Sequence, residues 1–377
     1  MNTPDTPKPR IIWLNMLVFS LTFAIAAIGV PWLALTQGLH TGTLIAAVLA
    51  TGFCGMSITA GYHRLWSHRA YEAHPAIRLL YALGGAFAVQ NSILHWSSDH
   101  RVHHRHVDDN EQDPYSARRG FWYAHIGWML REYQASRYHD YRNVRDLQRD
   151  PIVVWQHRHY LMLVLLTNFG IPLAFGLLSG DLLGSLLLVG VLRQVVSHHV
   201  TFFINPLAHM WGRQPYSDAN TAKDNPLVAL LTYGEGYHNY HHAFQFDYRN
   251  AIRWWQFDPT KWLIRALSWV GLAHGLKTCP EERIQKAVLA QQWKRAEQRL
   301  QRLPNGEELR LRLQREYEQV LQRLQDYAAA RKAWLEARRK DINRQMEASG
   351  LQRQYRELRA LWRGQLRLWR QRMASYA

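Results

Sequence analysis

From Ile11 to Leu35 the chain runs without a single Lys, Arg, Asp or Glu. A helix rising about 1.5 Å per residue over that stretch exceeds a hydrocarbon core of ~30 Å. In lipid every backbone N–H and C=O must be satisfied within its own segment, so such a run can only be a spanning helix. It is too long for a signal-peptide core, and no small-residue cleavage site follows the tail from Asn2 to Arg10, so it is read as a mature segment. Thr43 to Tyr62 is a second span, joined to the first by the uncharged link Thr36 to Gly42. Tyr160 to Leu178 and Leu182 to Ile204 form a second hairpin, turning at Ser179, Gly180 and Asp181. Its second arm carries Arg193, Gln194, His198 and His199, which are costly in lipid and must face protein, water or a functional site.

Both hairpin tips lack Lys and Arg, whereas the N-terminal tail, residues 62–159 and everything after Ile204 are rich in them. The positive-inside rule puts those regions in the cytoplasm. Ala76 to Leu94 is apolar enough for a fifth span, but crossing there would separate two histidine clusters. It is expected to lie at the interface or against the bundle. The sixteen Trp and eighteen Tyr suit that interface. The formal charge of +17 suits a phosphate-bearing partner, but no base-reading motif for nucleic acid is present.

After Thr278 the composition shifts to Arg, Gln, Glu, Leu and Ala. Leu313, Tyr317, Val320, Leu324 and Tyr327 alternate at four and three residues, an amphipathic helical seam. Breaks are expected at Pro304-Asn305-Gly306 and at Gly350, giving two or three helices. The expected domains are therefore 1–278 and 279–377.

Eight histidines fall in three groups: His63 with His68, then His100, His103 and His104, then His238, His241 and His242. Positions i, i+3 and i+4 share a helix face, so each His-x-x-His-His aims three imidazoles at one point. An i, i+5 pair diverges on a regular helix, so His63 and His68 should sit where a helix ends or bends. His40, His74, His139 and His274 read as isolated structural hydrogen bonders. Cys54 and Cys279 are too few for a thiolate cage. So many imidazoles exceed the usual four ligands of a zinc site and imply two metals, and an imidazole-rich, thiolate-free set suits iron.

His63-Arg-Leu-Trp-Ser-His68, Asp99-His100-x-x-His103-His104 and Gly234-Glu-Gly-Tyr-His238-Asn-Tyr-His241-His242 resemble the histidine boxes of stearoyl-CoA-type delta-9 desaturases. Asp113-Pro114, Arg193, Asn205-x-x-x-His209, Pro215-Tyr216 and Phe246-Asp247-Tyr248 fall in that family's order, and the likeness spans roughly residues 10–278. The resemblance implies an all-α membrane protein: four transmembrane helices in two hairpins, a cytosolic helical cap holding a di-iron site, and a C-terminal helical extension. It adds His209 as a ninth ligand, and Asn205 as a contact to metal through water. It implies a bent acyl tunnel at Gln90, Trp96 and Thr201, with Phe202 standing where the animal enzymes have Trp. Asn91, Asp99 and Arg131 match positions near a CoA head.

The implied reaction is O2-dependent formation of a cis double bond, at delta-9, in a long-chain saturated acyl-CoA. The implied cofactor is two Fe ions, with Zn as a replacement on heterologous expression. Action on lipid-linked acyl chains, or hydroxylation, shares the same cage and stays open, as does a non-enzymatic metal or haem membrane carrier. No haem, iron–sulfur or nucleotide motif is visible, so a ferredoxin-, rubredoxin- or cytochrome-type donor with its NAD(P)H reductase is implied. The expected location is integral in the membrane, the inner or plasma membrane in a bacterium, with the active site on its cytoplasmic face.

All nine expected ligands precede Glu281. A chain ending at Thr278 is expected to retain its metals and part of its activity. Elemental analysis of the inserted, folded truncation checks this, and loss of all metal would place the extension within the active-site architecture.

Overall fold

The computed structural model describes residues 9–135, 138–340 and 345–375, with side chains described up to 337 and from 350. The tail before Pro9, with Lys8, lies outside them. The chain divides into two compact units: Met1–Gln214 with Ala219–Thr278, and Pro215–Asp218 with Cys279–Ala377.

In the first unit, α1 (Trp13–Thr36) and α2 (Thr41–Ser67) make one hairpin. Helices α3 (Pro75–Ala88) and α4 (Ile93–His106) follow. A second hairpin, α5 (Tyr160–Ser179) and α6 (Leu182–Met210), precedes the short α7 (His238–Ala243) and α8 (Pro259–Trp269). Helices α1, α2, α5 and α6 are long and apolar enough to cross a membrane. Helix α1 leaves Trp13, Leu14, Leu17, Ile28 and Leu35 exposed. That would be untenable in water and is the ordinary lipid-facing state of a span. Gly180 supplies the left-handed residue (φ 74°) at the tip of the second hairpin. Asp181 beside it accepts from Gly184 N at 3.0 Å and from Thr43 Oγ1 at 2.5 Å, which ties the two tips together.

The stretch expected to continue from Ala76 to Leu94 is broken instead, α3 and α4 meeting at 82°. Val89 (φ 53°) and Asn91 (φ 73°) both adopt left-handed backbone there, which is a strained conformation for a β-branched valine. The polar residues of α6 account for its survival. A helix end leaves carbonyls without partners. Arg193 Nη1 donates to Phe87 O at 2.7 Å, and His198 Nε2 lies 3.0 Å from both Ala88 O and Val89 O. Arg193 also donates to Asn168 Oδ1 and Val189 O, and stacks over the Phe87 ring, 3.7 Å from its centroid. These groups face protein and cap a broken helix. Ser92 N-caps α4 by accepting from His95 N at 3.3 Å.

The end of α2 departs from the α-form: Ser57–Ser67 is π-wound and wholly buried. Helix α3 approaches it so closely that a Cβ on Gly84 would meet Ser57 Oγ at 2.0 Å, so glycine is required there. A two-stranded antiparallel pair, β1 (Glu72–Ala73) with β2 (Ala273–His274), ties the chain after α2 to the end of the first unit.

The second unit contains α9 (Glu281–Leu300), α10 (Gly306–Lys340) and α11 (Gln345–Ser375). The expected seam is its core: Leu313, Val320, Leu324 and Tyr327 are buried with Leu289, Leu300, Trp362 and Trp369, and Tyr317 packs against them. Residues 301–305 separate α9 from α10, as the Pro304-Asn305-Gly306 break requires. Gly350 breaks nothing, because it lies within α11. A single exposed glycine costs a helix only about 1 kcal/mol, which the packed face offsets.

Replacing Arg193 by Met should strand Phe87 O and weaken the break, a loss of about 1–3 kcal/mol per unsatisfied buried group. The thermal midpoint of the detergent-solubilised protein is expected to fall by several degrees, and an unchanged midpoint would contradict the capping role.

Candidate metal centre

Each histidine group reaches the centre by its own local device. On an α-helix positions i and i+5 point about 140° apart, but the wider π-turn brings them back toward one another. In α2 that turn runs up to His68, whose N donates to His63 O at 3.1 Å. The pair therefore sits where the helix ends, and the rings converge with centroids 4.8 Å apart. Helix α4 supplies His100, His103 and His104, α7 supplies His238, His241 and His242, and the last turn of α6 supplies His209.

The nine imidazoles fall into two groups, each with ligand atoms within 4.8 Å of one another: His63, His68, His100, His104 and His241, and His103, His209, His238 and His242. Nε2 of His63 and His241 stand 3.0 Å apart, those of His68 and His100 2.8 Å, those of His104 and His241 2.9 Å, and those of His238 and His242 3.1 Å. Two nitrogens held about 2.1 Å from one ion at 90–109° lie about 3.0–3.4 Å apart. The four separations lie at the short end of that range or just below it, close to those of ligands sharing an ion.

The outer nitrogens say which tautomer is present. His63 Nδ1 lies 2.9 Å from Glu235 Oε2, His103 Nδ1 2.8 Å from Asp113 Oδ1, and His209 Nδ1 2.8 Å from Thr221 Oγ1. His100 Nδ1 is 3.3 Å from Tyr115 Oη. A proton on Nδ1 serves each contact and leaves the Nε2 lone pair for a metal. His209 Nε2 is buried with no hydrogen-bond partner, as a ligand atom awaiting a cation would be.

Burial lowers His68, His100, His104, His241 and His242 well below the ordinary imidazole range, and neighbouring imidazoles push the same way. His238 is lowered to about 3 by burial and by His103. All are neutral near pH 7 and able to bind metal. Burial alone would raise the Glu235 carboxyl. His63 and Arg64, by charge and hydrogen bond, outweigh it and hold the group at about 2. Arg64, itself buried, spans from Glu235 Oε1 (3.0 Å) to Asp258 Oδ2 (3.1 Å). On the other side Thr221 Oγ1 donates to Asp108 Oδ1 at 2.6 Å, so His209, Thr221 and Asp108 form a relay.

Asp108, Thr221 and Tyr115 have no place in the sequence reading, and Glu235 and Asp113 enter it only as flanking motif letters. The signal for the two carboxylates is their position beside a histidine group. Thr221 and Asp108 lie 113 positions apart and leave no local trace. His74, His139 and His274 stay outside both groups: His74 accepts from Ala76 N, His139 lies against the Tyr138 ring, and His274 meets Glu72. His40 sits at the start of α2.

A cavity of about 1140 Å3 adjoins the centre. Its walls include Val18, Phe19, Leu187 and Val191 from the spans together with His63, His100, His103 and His238. Gln90, Asn91, Trp96, Asp99, Arg131, Thr201, Phe202 and Asn205 all line it. Gln90 Nε2 donates to Thr201 Oγ1 at 2.8 Å beside the α3–α4 break, and Trp96 stacks on His100 with centroids 4.8 Å apart. Arg131 Nη1 is held by Pro9 O at 2.9 Å, and Asn205 Nδ2 donates to Ala124 O at 3.3 Å.

Residues 39–272 match the family described as fatty acid desaturase. The chain is 48% identical over 284 residues to a probable acyl-CoA desaturase of Schizosaccharomyces pombe, covering 75% of this chain and 58% of that protein. It is 45% identical over 287 residues to acyl-CoA desaturase 1 of Saccharomyces cerevisiae, covering 75% and 55%. To stearoyl-CoA desaturase 5 of Homo sapiens it is 36% identical over 291 residues, covering 75% and 87%. The chain thus spans less than two thirds of the two yeast relatives.

After anaerobic reconstitution, elemental analysis is expected to find two metal ions per chain, with His241→Ala depleting the group of five and His209→Ala the group of four. Thr221→Val keeps every ligand but removes the relay. It should weaken its group about ten- to a hundredfold in chelator competition, and equal resistance to chelator would deny the relay a role.

Proposed function

Because the chain belongs to the fatty acid desaturase family, we propose that it is an O2-dependent acyl-CoA desaturase that sets a cis double bond, at delta-9, in a long saturated chain. The observation that carries this reading is the shared wall: one cavity is lined both by apolar span residues and by four of the nine histidines. A metal carrier has no use for such a cavity. The nine histidines would hold two irons, with Asn205 reaching one through a water, and zinc could replace iron on heterologous expression. When bound, the irons supply the reduction of O2 to an oxidant able to cleave an unactivated C–H bond. In the net reaction two hydrogens leave adjacent carbons, a donor supplies two electrons, solvent supplies two protons, and O2 leaves as two waters.

What the protein contributes is position. An acyl chain has no polar handle near the reacting carbons, so only the wall's shape can select one methylene pair. Helix α4 leaves the break at 82° from α3, and the Gln90–Thr201 bond fixes the wall there. Trp96 and Phe202 line the same cavity, where their rings would help to keep water from the reacting carbons. The head of the substrate would lie by Asn91, Asp99 and Arg131. A second cavity of about 430 Å3, sharing Asp99 and Gln134 with the first, is lined by Arg101, Arg105, His106 and Arg142. Asp99 and Asp140 share that lining, Arg142 pairing with Asp140 and Arg101 with Asp146, and the excess of guanidinium groups over carboxylates there supports a soluble phosphate-bearing carrier such as CoA over a lipid-linked chain. The centre lies at the ends of α2 and α6 that the positive-inside rule assigns to the cytoplasm. Electrons would come from a separate ferredoxin-, rubredoxin- or cytochrome-type donor with its NAD(P)H reductase.

Expressed in a host lacking its own desaturase, the protein should yield monounsaturated lipids with one fixed double-bond position, and His103→Ala or His241→Ala should abolish them. Gln90→Ala should instead scatter that position or shorten the accepted chain. Hydroxylated product, or no change in host lipids despite a metal-loaded, inserted protein, would refute the reading.

A further inference from the structure

Between Leu351 and Arg372 helix α11 carries seven arginines and one acidic residue, Glu357. Arg353, Arg356, Arg359, Arg363, Arg367 and Arg370 are all exposed. At about 100° per residue they fall within a sector of about 120° on one side of the helix, spread along about 26 Å. Trp362 and Trp369, buried in the core of the bundle, mark the opposite side. Leu361 (51% exposed) and Leu368 (61%) border the stripe and have no place in that core. Arg372, off the stripe, pairs with Glu316, whereas none of the six forms an ion pair among the described residues. Repulsion among six guanidinium groups is therefore left uncompensated within the described chain.

We propose that this arginine stripe is a docking surface for anionic phospholipid headgroups. Three features choose that occupant. A straight line of charge about 26 Å long matches a plane of repeated anions better than a single compact ligand. Guanidinium binds phosphate oxygens two at a time, and each basic residue near an anionic surface contributes independently. Two leucines beside the stripe give it an apolar border suited to the headgroup boundary, as in helices that lie in the membrane plane. The chain already spans a bilayer, so that surface is present at high effective concentration.

The test uses the full chain in nanodiscs, with Ala360→Cys labelled by an environment-sensitive fluorophore. Ala360 is exposed and lies within the stripe, whereas the native Cys54 and Cys279 are buried. Lipids bearing a nitroxide on the headgroup serve as quencher. In discs with about a third phosphatidylglycerol the label is expected to be quenched, in pure phosphatidylcholine it should stay bright, and 0.5 M salt should reverse the quenching. Arg356, Arg363, Arg367 and Arg370 changed together to Gln should lower the docked fraction at least about tenfold, and the same four changed to Lys should keep most of it. The salt reversal on the otherwise unaltered chain and the Lys variant separate lost charge from lost folding. Equal signals in neutral and anionic discs would overturn the proposal. So would a label that is bright in anionic discs and shielded only on adding an acidic redox protein, which would give the stripe to a protein partner.

Discussion

Nine imidazoles converging on two small volumes are an unstable arrangement unless a cation shares them, and the rest of the first unit is organised around that fact. Nε2 atoms about 3 Å apart repel, and protonating one ring beside the others is worse, which is why neighbouring imidazoles depress one another here. A metal reverses the sign of every one of those contacts. The carboxylates set behind the rings, Glu235 behind His63 and Asp113 behind His103, add negative charge one bond further out and hold the tautomer that faces inward. Glu235 stays ionised in a buried site because Arg64 and His63 flank it. Arg64 is kept in turn by Asp258, so the electrostatics of this side close on themselves.

The membrane solves a different part of the problem. Helices α1 and α5 expose apolar residues that lipid covers, so they bury little and serve mainly to return the chain. Helices α2 and α6, the second arm of each hairpin, are the better buried pair, and each ends in histidines of the two groups. Even-numbered spans end on the side where the chain began, so two hairpins bring His63 and His209 to one face.

What the sequence made legible follows from periodicity. The two His-x-x-His-His triads need only an ordinary helix to converge, and the seam of the C-terminal helices needs only four-three spacing. The i, i+5 pair showed that something irregular had to happen near His63, but a π-turn and a helix end satisfy the spacing equally well until backbone is seen. The break at Val89 was not legible, since nothing in Ala-Val-Gln-Asn announces left-handed backbone at a valine. It is imposed from α6, more than a hundred positions away, by the side chains of Arg193 and His198. His209 entered only through family likeness, because a single histidine after a span carries no pattern of its own. Gly350 misled for the opposite reason: a local breaker was overruled by the packing of Trp362 and Trp369 further along the same helix.

One face of α6 links the two halves of the chemistry. His198, Thr201, Asn205 and His209 lie within a sector of about 80° at 100° per residue, and about 16 Å separates the first from the last. His198 holds the end of α3, Thr201 holds Gln90, Asn205 lines the cavity, and His209 belongs to the group of four. A wall of the cavity and a histidine of the group of four are thus carried on one span, which continues past a turn at Phe203. A rotation of α6 that shifted the cavity wall would shift His209 with it. The distance between the cavity wall at Thr201 and the histidine group at His209 is therefore set by one span, and on the proposed function that is the distance that would select one pair of carbons in a featureless chain.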